Sequence, residues 1–162
     1  MSPKIKLLIV DDEIKFLEAL SKRLEVRDFV VTKATNGNEA IQAARHDKFD
    51  IALLDLKMPG IDGKQVLDTL KKEHKYLEVI ILTGHGSFDS AVECTKLGAF
   101  GYLPKPYELE KLIEILKKAY EERMLKKFKS DQKKMDEIIK IGTEASPLSI
   151  LRKLRDMDDE EK

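Results

Sequence analysis

Unbroken apolar runs of strand length alternate along the chain with stretches whose apolar residues return at helical spacing. Residues 4–10 (Lys-Ile-Lys-Leu-Leu-Ile-Val) predict a buried strand. Phe16, Leu17, Leu20 and Leu24 then mark one face of a helix. Residues 29–34 predict a second, shorter strand, Asn36-Gly37 a turn, and residues 39–45 a helix carried by Ala40, Ile41, Ala43 and Ala44. A third strand is expected over 50–55, a loop at Gly60-Ile61-Asp62-Gly63, and a helix holding Val66, Leu67 and Leu70. Residues 78–83 predict the fourth strand, ending at Gly84-His85-Gly86. Ser87 or Asp89 can cap the next helix, which carries Ala91, Val92 and Leu97 and closes at Gly98-Ala99. A short fifth strand over 100–103 runs into Pro104-Lys105-Pro106. A long helix then passes through Leu109, Leu112, Ile113, Leu116 and Tyr120.

Strand and helix thus alternate five times, which predicts an α/β fold: a parallel sheet with right-handed crossovers and helices on both faces. Runs such as Ile51-Ala52-Leu53-Leu54, apolar at every position, suit strands buried on both sides. The flavodoxin-like order 2-1-3-4-5 fits five such strands.

After about residue 121 the pattern changes. The last helix is expected to run on through Met124, Leu125 and Phe128, with its apolar stripe resuming at Met135, Ile138, Ile139 and Ile141, to about residue 141. Ser146-Pro147 is a good cap and first-turn pair for a short amphipathic helix over about 147–157, built on Leu148, Leu151 and Leu154. The acidic end, 156–162, is expected to fray. The chain therefore divides into a domain over 4–120 and a helical extension over 121–162.

Composition removes some classes of function. With 30 Lys and Arg against 30 Asp and Glu, the chain has no global field favouring nucleic acid or an anionic membrane. No apolar run approaches the ~18 residues of a membrane span, and no signal peptide is recognisable. The single cysteine, Cys94, allows no internal disulfide, so a cytoplasmic location is expected; Cys94 itself reads as a small packed residue. His46 and His74, at helix ends, read as surface residues.

The notable polar residues each sit just past a strand: Asp11 and Asp12 after the first, Asp55 after the third, Thr83 at the end of the fourth and Lys105 after the fifth. In a parallel sheet those ends share one edge, where open α/β sheets bind their ligands. Three carboxylates brought together repel and call for a cation. Hard oxygen donors with room for water suit Mg²⁺. An aspartate beside such a metal can act as a nucleophile and accept a phosphoryl group. Lys105 could then hold one phosphate oxygen, and the Thr83 hydroxyl could donate to another.

Four segments carry a family resemblance: Leu7-Leu8-Ile9-Val10-Asp11-Asp12-Glu13, Leu54-Asp55-Leu56-Lys57-Met58-Pro59-Gly60, Thr83-Gly84-His85-Gly86 and Tyr102-Leu103-Pro104-Lys105-Pro106. Together they resemble the receiver domain of two-component response regulators, and the Thr83-Gly84-His85-Gly86 version looks most like receivers of nitrogen-regulation activators. The resemblance implies a phosphoprotein of phosphorelay signalling rather than an enzyme. A histidine kinase or a histidine phosphotransfer protein would phosphorylate Asp55. Asp12 and Asp55 would bind Mg²⁺ directly, helped by the Lys57 backbone carbonyl, with Asp11 acting through a bound water. Thr83 and Tyr102 would form the switch pair, and Lys105 would bind phosphate. Lys57 and His85, two residues past the acceptor and two past the switch threonine, would tune phosphoryl lifetime. Gly84 stands where Ala or Ser is frequent in the family.

No output domain is recognisable. A GxxxxGK[ST] loop is missing, and residues 121–162 leave little room for a helix-turn-helix. The basic stretch at 123–134 reads as a solvated helix face, so DNA contact is not expected. Phe128, Met135, Ile138 and Gly142 fall at heptad-like spacing, interrupted by Asp131, which points to association, including a phosphorylation-dependent homodimer; the Leu148-Leu151-Leu154 helix could pack back on the domain or dock on a partner. The chain could also be the amino-terminal part of a longer regulator. A haloacid-dehalogenase-like phosphohydrolase, the enzyme alternative, expects a second Asp where this chain has Lys57.

Overall fold

The computed structural model describes residues 4–84, 86–144 and 146–160, with only the backbone of 159 and 160. Five parallel strands, β1 (Ile5–Val10), β2 (Phe29–Ala34), β3 (Ile51–Leu54), β4 (Glu78–Thr83) and β5 (Gly101–Pro104), form one sheet in the order 2-1-3-4-5. Between them lie α1 (Ile14–Glu25), α2 (Gly37–His46), α3 (Gly63–Glu73) and α4 (Phe88–Lys96); α5 (Leu109–Lys127), α6 (Gln132–Ile141) and α7 (Pro147–Glu160) follow β5. Among the described residues, no helix is long and apolar enough to cross a membrane.

The unbroken apolar runs have a simple cause: each central strand feeds two cores. Leu7, Ile9, Ile51, Leu53, Ile80 and Leu82 point to one face, where Leu17, Leu20 and Leu24 of α1 meet Leu112, Leu116 and Tyr120 of α5. Leu8, Val10, Ala52, Leu54, Val79 and Ile81 point to the other, under Ala40 of α2, Val66 and Leu67 of α3, and Cys94 of α4. Cys94 is fully buried, as its spacing predicted. Of the two candidate caps for α4, Ser87 serves: its Oγ accepts from the Ser90 amide at 3.1 Å.

Three features of the extension bear on the expectations for it, the second choosing among alternatives that the sequence leaves open. First, no continuous helix reaches residue 141. α5 stops at Lys127, Phe128 leaves helical geometry, and Asp131 caps α6 by accepting from the Lys134 amide at 3.1 Å. A capping aspartate offers its own oxygen to amides that a continuous helix would satisfy through the backbone, so the chain turns. Second, Ile138, Ile150, Leu151, Leu154 and Met157 are buried in the same core as α1 and α5. Most of the extension's apolar stripe therefore faces inward, Ile139 alone of Met135, Ile138, Ile139 and Ile141 being exposed, which leaves little for a coiled-coil seam among the described residues. Third, the acidic end does not fray within the described residues. Asp158 is fully buried on α7, where it accepts from Tyr120 Oη at 2.8 Å, pairs with Lys127, and lies 3.4 Å from Arg123 and 3.5 Å from Arg155.

The basic stretch follows the same logic. Arg123 donates to the Tyr76 carbonyl at 2.7 Å, and Lys126 pairs with buried Glu78 at 2.9 Å. Arg123 is thus held against the body of the protein, whereas Lys126, Lys129 and Lys133 remain exposed, as expected of a solvated face. His46 is exposed as expected, but His74 is only partly so, with Nε2 out of solvent.

Candidate functional site

At the carboxyl edge the sheet ladder continues one residue past several strands. Asp11 N donates to Ala34 O at 3.1 Å, Asp55 N to Val10 O at 3.0 Å, and Lys105 N to Thr83 O at 2.9 Å. These bonds, rather than loop packing, fix where Asp11, Asp55 and Lys105 emerge. Asp11, Asp12 and Asp55 each present an oxygen within 4.8 Å of the others. Asp11 and Asp55 are 1% and 2% exposed, while Asp12 faces solvent. An open cleft of about 470 Å³, lined by Asp12, Glu13, Asp55, Lys57, Met58 and Pro59, leads to them.

Local hydrogen bonds orient the carboxylates. Asp11 Oδ1 accepts from the Glu13 amide at 2.9 Å, and Asp55 Oδ1 from the Lys57 amide at 3.3 Å. Lys105 Nζ lies 2.6 Å from Asp11 Oδ2, 3.5 Å from Glu13 Oε1 and 3.8 Å from Asp55 Oδ2. Burial pushes the Asp11 carboxyl above its usual range, against the opposing pull of Lys105. For Lys105 burial disfavours the ammonium, but its bond to Asp11 and the nearby carboxylates win, so it is raised and stays charged. A buried carboxylate pair with a single lysine between them is short of positive charge, which is the condition a divalent cation relieves.

The other expected residues fall where the strand ends put them, with two exceptions in detail. Thr83 is fully buried at the end of β4. Lys57 is exposed, and only its amide is tied to Asp55. Gly84 has open space: an added Cβ would come no closer than 3.9 Å, to Lys105 Cβ. Tyr102 lies away from the acids, against Cys94, Leu97 and the other residues of the α2–α4 core. Its hydroxyl is buried beside Gly86, so close that a Cβ there would sit 1.7 Å from Oη. Ser90 and the Ser87 backbone lie near enough to polarise the hydroxyl, but neither forms a bond of good geometry; burial raises its pKa. His85 lies outside the described residues.

Phe16 is a site residue that sequence reasoning assigned only to the α1 core. Lys105 Nζ stands 3.9 Å from the centre of its ring, and Tyr107 meets that ring edge-on at 6.3 Å. Burial pushes the Tyr107 hydroxyl up to about 12. The available signal was an aromatic one turn after an Asp-Asp-Glu strand end, which is weak because the same spacing serves a core position.

Comparison with known proteins agrees with this geometry. Residues 7–117 match the response regulator receiver domain. The chain is 36% identical over 111 residues to the DNA-binding transcriptional regulator NtrC of Salmonella typhimurium, covering 68% of this chain and 24% of that protein. An NtrX-like response regulator of Rickettsia felis is 33% identical over 132 residues, or 80% of this chain and 28% of that one. Among solved structures, a CheY-like receiver domain protein from Methanospirillum hungatei superposes with a TM-score of 0.72 at 28% identity, covering 75% of this chain and 97% of that chain. NtrX from Brucella abortus does so with a TM-score of 0.75 at 29% identity, covering 80% and 30%. The chain spans about a quarter of the length of the curated relatives it matches. Its strand order, its acidic edge and the match over residues 7–117 make it a member of the response regulator receiver domain family.

Proposed function

We propose that Asp55 accepts a phosphoryl group from the phosphohistidine of a histidine kinase or phosphotransfer protein. The P–N bond breaks as an Asp55 carboxylate oxygen forms the new P–O bond. The observation that carries this reading is the approach of three carboxylates to within 4.8 Å of one another, with the Lys105 ammonium 3.8 Å from Asp55. The donor set is all hard oxygen, which fits Mg²⁺; Asp12 and Asp55, with the Lys57 carbonyl, would hold it, and Asp11 would act through water. When bound, that ion supplies the positive charge the incoming phosphate requires.

The remaining roles belong to the protein. Asp55, held by the Lys57 amide, presents its oxygen to the cleft. Lys105 exchanges Asp11 and the Phe16 ring for a phosphate oxygen. The Thr83 hydroxyl donates to another, drawing the β4–α4 loop inward, and Tyr102 responds on the far side of that loop. Lys57 and His85 would set how long the phosphoryl persists. Output passes through protein contact or a homodimer in the cytoplasm. The extension turns most of its apolar stripe inward, though Ile139 is 58% exposed, and α4 offers Phe88, 83% exposed, and Val92, 37% exposed, for that contact. A second reading, the amino-terminal receiver of a longer transcriptional regulator, is favoured by its relatives, of which the matched segment makes up only 24% in one case and 28% in another.

Incubation with a small phosphodonor and Mg²⁺ tests the core of this. Intact mass should show a single phosphoryl per chain, absent in Asp55→Ala. Retention of the phosphoryl in that variant, or rapid turnover of phosphate esters, would overturn it.

A further inference from the structure

The opposite edge of the sheet holds a second polar cavity that phosphoacceptor chemistry does not use. It measures about 600 Å³ and lies where Lys6 of β1, Asp50 before β3 and Leu77 before β4 mark the amino ends of the strands. Its wall includes Lys6, Lys48, Lys75, Arg123, Lys127 and Arg155, with His74, against the single carboxylate of Asp50. Two further carboxylates act from outside the wall: Asp47 on Lys6, and Asp158 on Lys127, Arg123 and Arg155. Six permanent cations thus meet three anions.

The surplus sits where a ligand could reach it. Lys48 and Lys75 are exposed and make no ion pair among the described residues. Lys75 only overlies the Tyr76 ring, 5.3 Å from its centre. Behind them, Arg123 and Arg155 share the carboxylates of Asp50 and Asp158, and Nε of each is buried without a hydrogen-bond partner. A smaller cleft of about 290 Å³ adjoins the cavity, sharing Lys75, Tyr76 and Lys127 and adding Lys126, Lys129 and Ser130, with no carboxylate in its lining. Ala44, Phe49 and Leu77 give the larger cavity an apolar wall.

We infer that this cavity binds a soluble, nucleotide-sized polyphosphate. Concave volume of this size suits a small ligand better than a polymer. The apolar wall accommodates a base or similar ring. Lys48 and Lys75 reach the phosphates, Lys127 stays paired with Asp158 behind them, and the adjoining cleft extends the positive surface along the chain of phosphates. Because α5 and α7 both contribute to the wall, ligand and docked α7 stabilise one another.

The test uses the full chain carrying Asp55→Ala, so that no phosphoryl transfer occurs at the other edge. ATP is titrated without Mg²⁺ at constant ionic strength and followed by amide NMR. Saturable shifts confined to Lys48, Phe49, Tyr76 and Leu77 are expected. Lys48→Ala with Lys75→Ala should weaken binding roughly tenfold, the loss of two charge-assisted contacts, whereas Lys96→Ala with Lys111→Ala should leave it unchanged. Absence of saturation at millimolar ATP overturns the inference. So does equal weakening in both double variants, which would mean general charge attraction. An RNA or DNA oligonucleotide that binds more tightly than ATP, with shifts extending beyond the cavity, would also overturn it by showing a polymer surface.

Discussion

Tyr102 holds a buried hydroxyl with no well-formed bond, and Gly86 is what makes room for it. Leaving a polar group buried and unsatisfied costs about 1–3 kcal/mol, so Tyr102→Phe should match or exceed the parent in urea stability. A loss larger than about 1 kcal/mol would show that the hydroxyl has a partner in solution. Gly86→Ala tests the same pair from the other side. Its Cβ would lie 1.7 Å from Oη, so the ring must swing out. Burial is what raises the Tyr102 pKa, and release should return it towards the ordinary tyrosine value of 10.0 in a spectrophotometric titration. An unchanged titration would mean the loop moved instead. At this scale the sequence exposed Asp11, Asp55, Thr83 and Lys105 readily, because a polar residue ending a strand of a parallel sheet can only emerge at an edge. Phe16 stayed hidden, since an aromatic on the inner face of an amphipathic helix looks like core until its neighbour is known to be a lysine.

Among the helices, α7 is attached by a buried carboxylate as much as by leucines. Asp158 serves Tyr120, Arg123, Lys127 and Arg155, and removing one partner of such a cluster leaves charges without compensation. Asp158→Asn should cost about 3 kcal/mol and deprotect α7 amides first in hydrogen exchange. The pH dependence has a definite sign. Burial opposes the Asp158 charge, but Lys127, Tyr120 and Arg123 overcome it and hold the carboxyl below the ordinary aspartate value of 3.8. A lowered folded value contributes stability that is present above 3.8 and lost as pH falls through that lowered value. The difference between parent and Asp158→Asn should therefore be constant near neutrality and shrink in acid below 3.8. Asp11 runs the other way: its raised value means the charged form weakens the fold as pH rises. The sequence signalled α7 through Ser146-Pro147 and its leucines. It left open whether that helix docks on the domain, because Asp158 lies in an acid-rich end and most of its partners come from α5. The break before α6 was hidden too: neither glycine nor proline marks residues 128–131, and one capping aspartate does the work.

For the whole molecule, one core contains residues of α1, α5, α6 and α7 together with the sheet. The division at residue 121 read from composition is therefore not a division in packing. Urea unfolding followed by tyrosine fluorescence and by far-UV circular dichroism should give coincident single transitions. A plateau between them would show that the extension unfolds on its own. The two edges of the sheet have opposite electrostatic character, acidic carboxylates at one end and a lysine-arginine basin at the other.

Cys94, fully buried under α4 and alone of its kind, gives the molecule a chemical clock. The thiol sits on the inner face of α4 out of reach of solvent, and burial raises its pKa, so a thiol reagent reaches it when α4 lifts from the sheet. The rate of labelling then counts openings of the helix that bears Phe88 and Val92, with no introduced probe. Phosphorylation that acts through the β4–α4 loop should change that rate while leaving the unfolding midpoint nearly fixed. An identical rate in both forms would place the response elsewhere than α4.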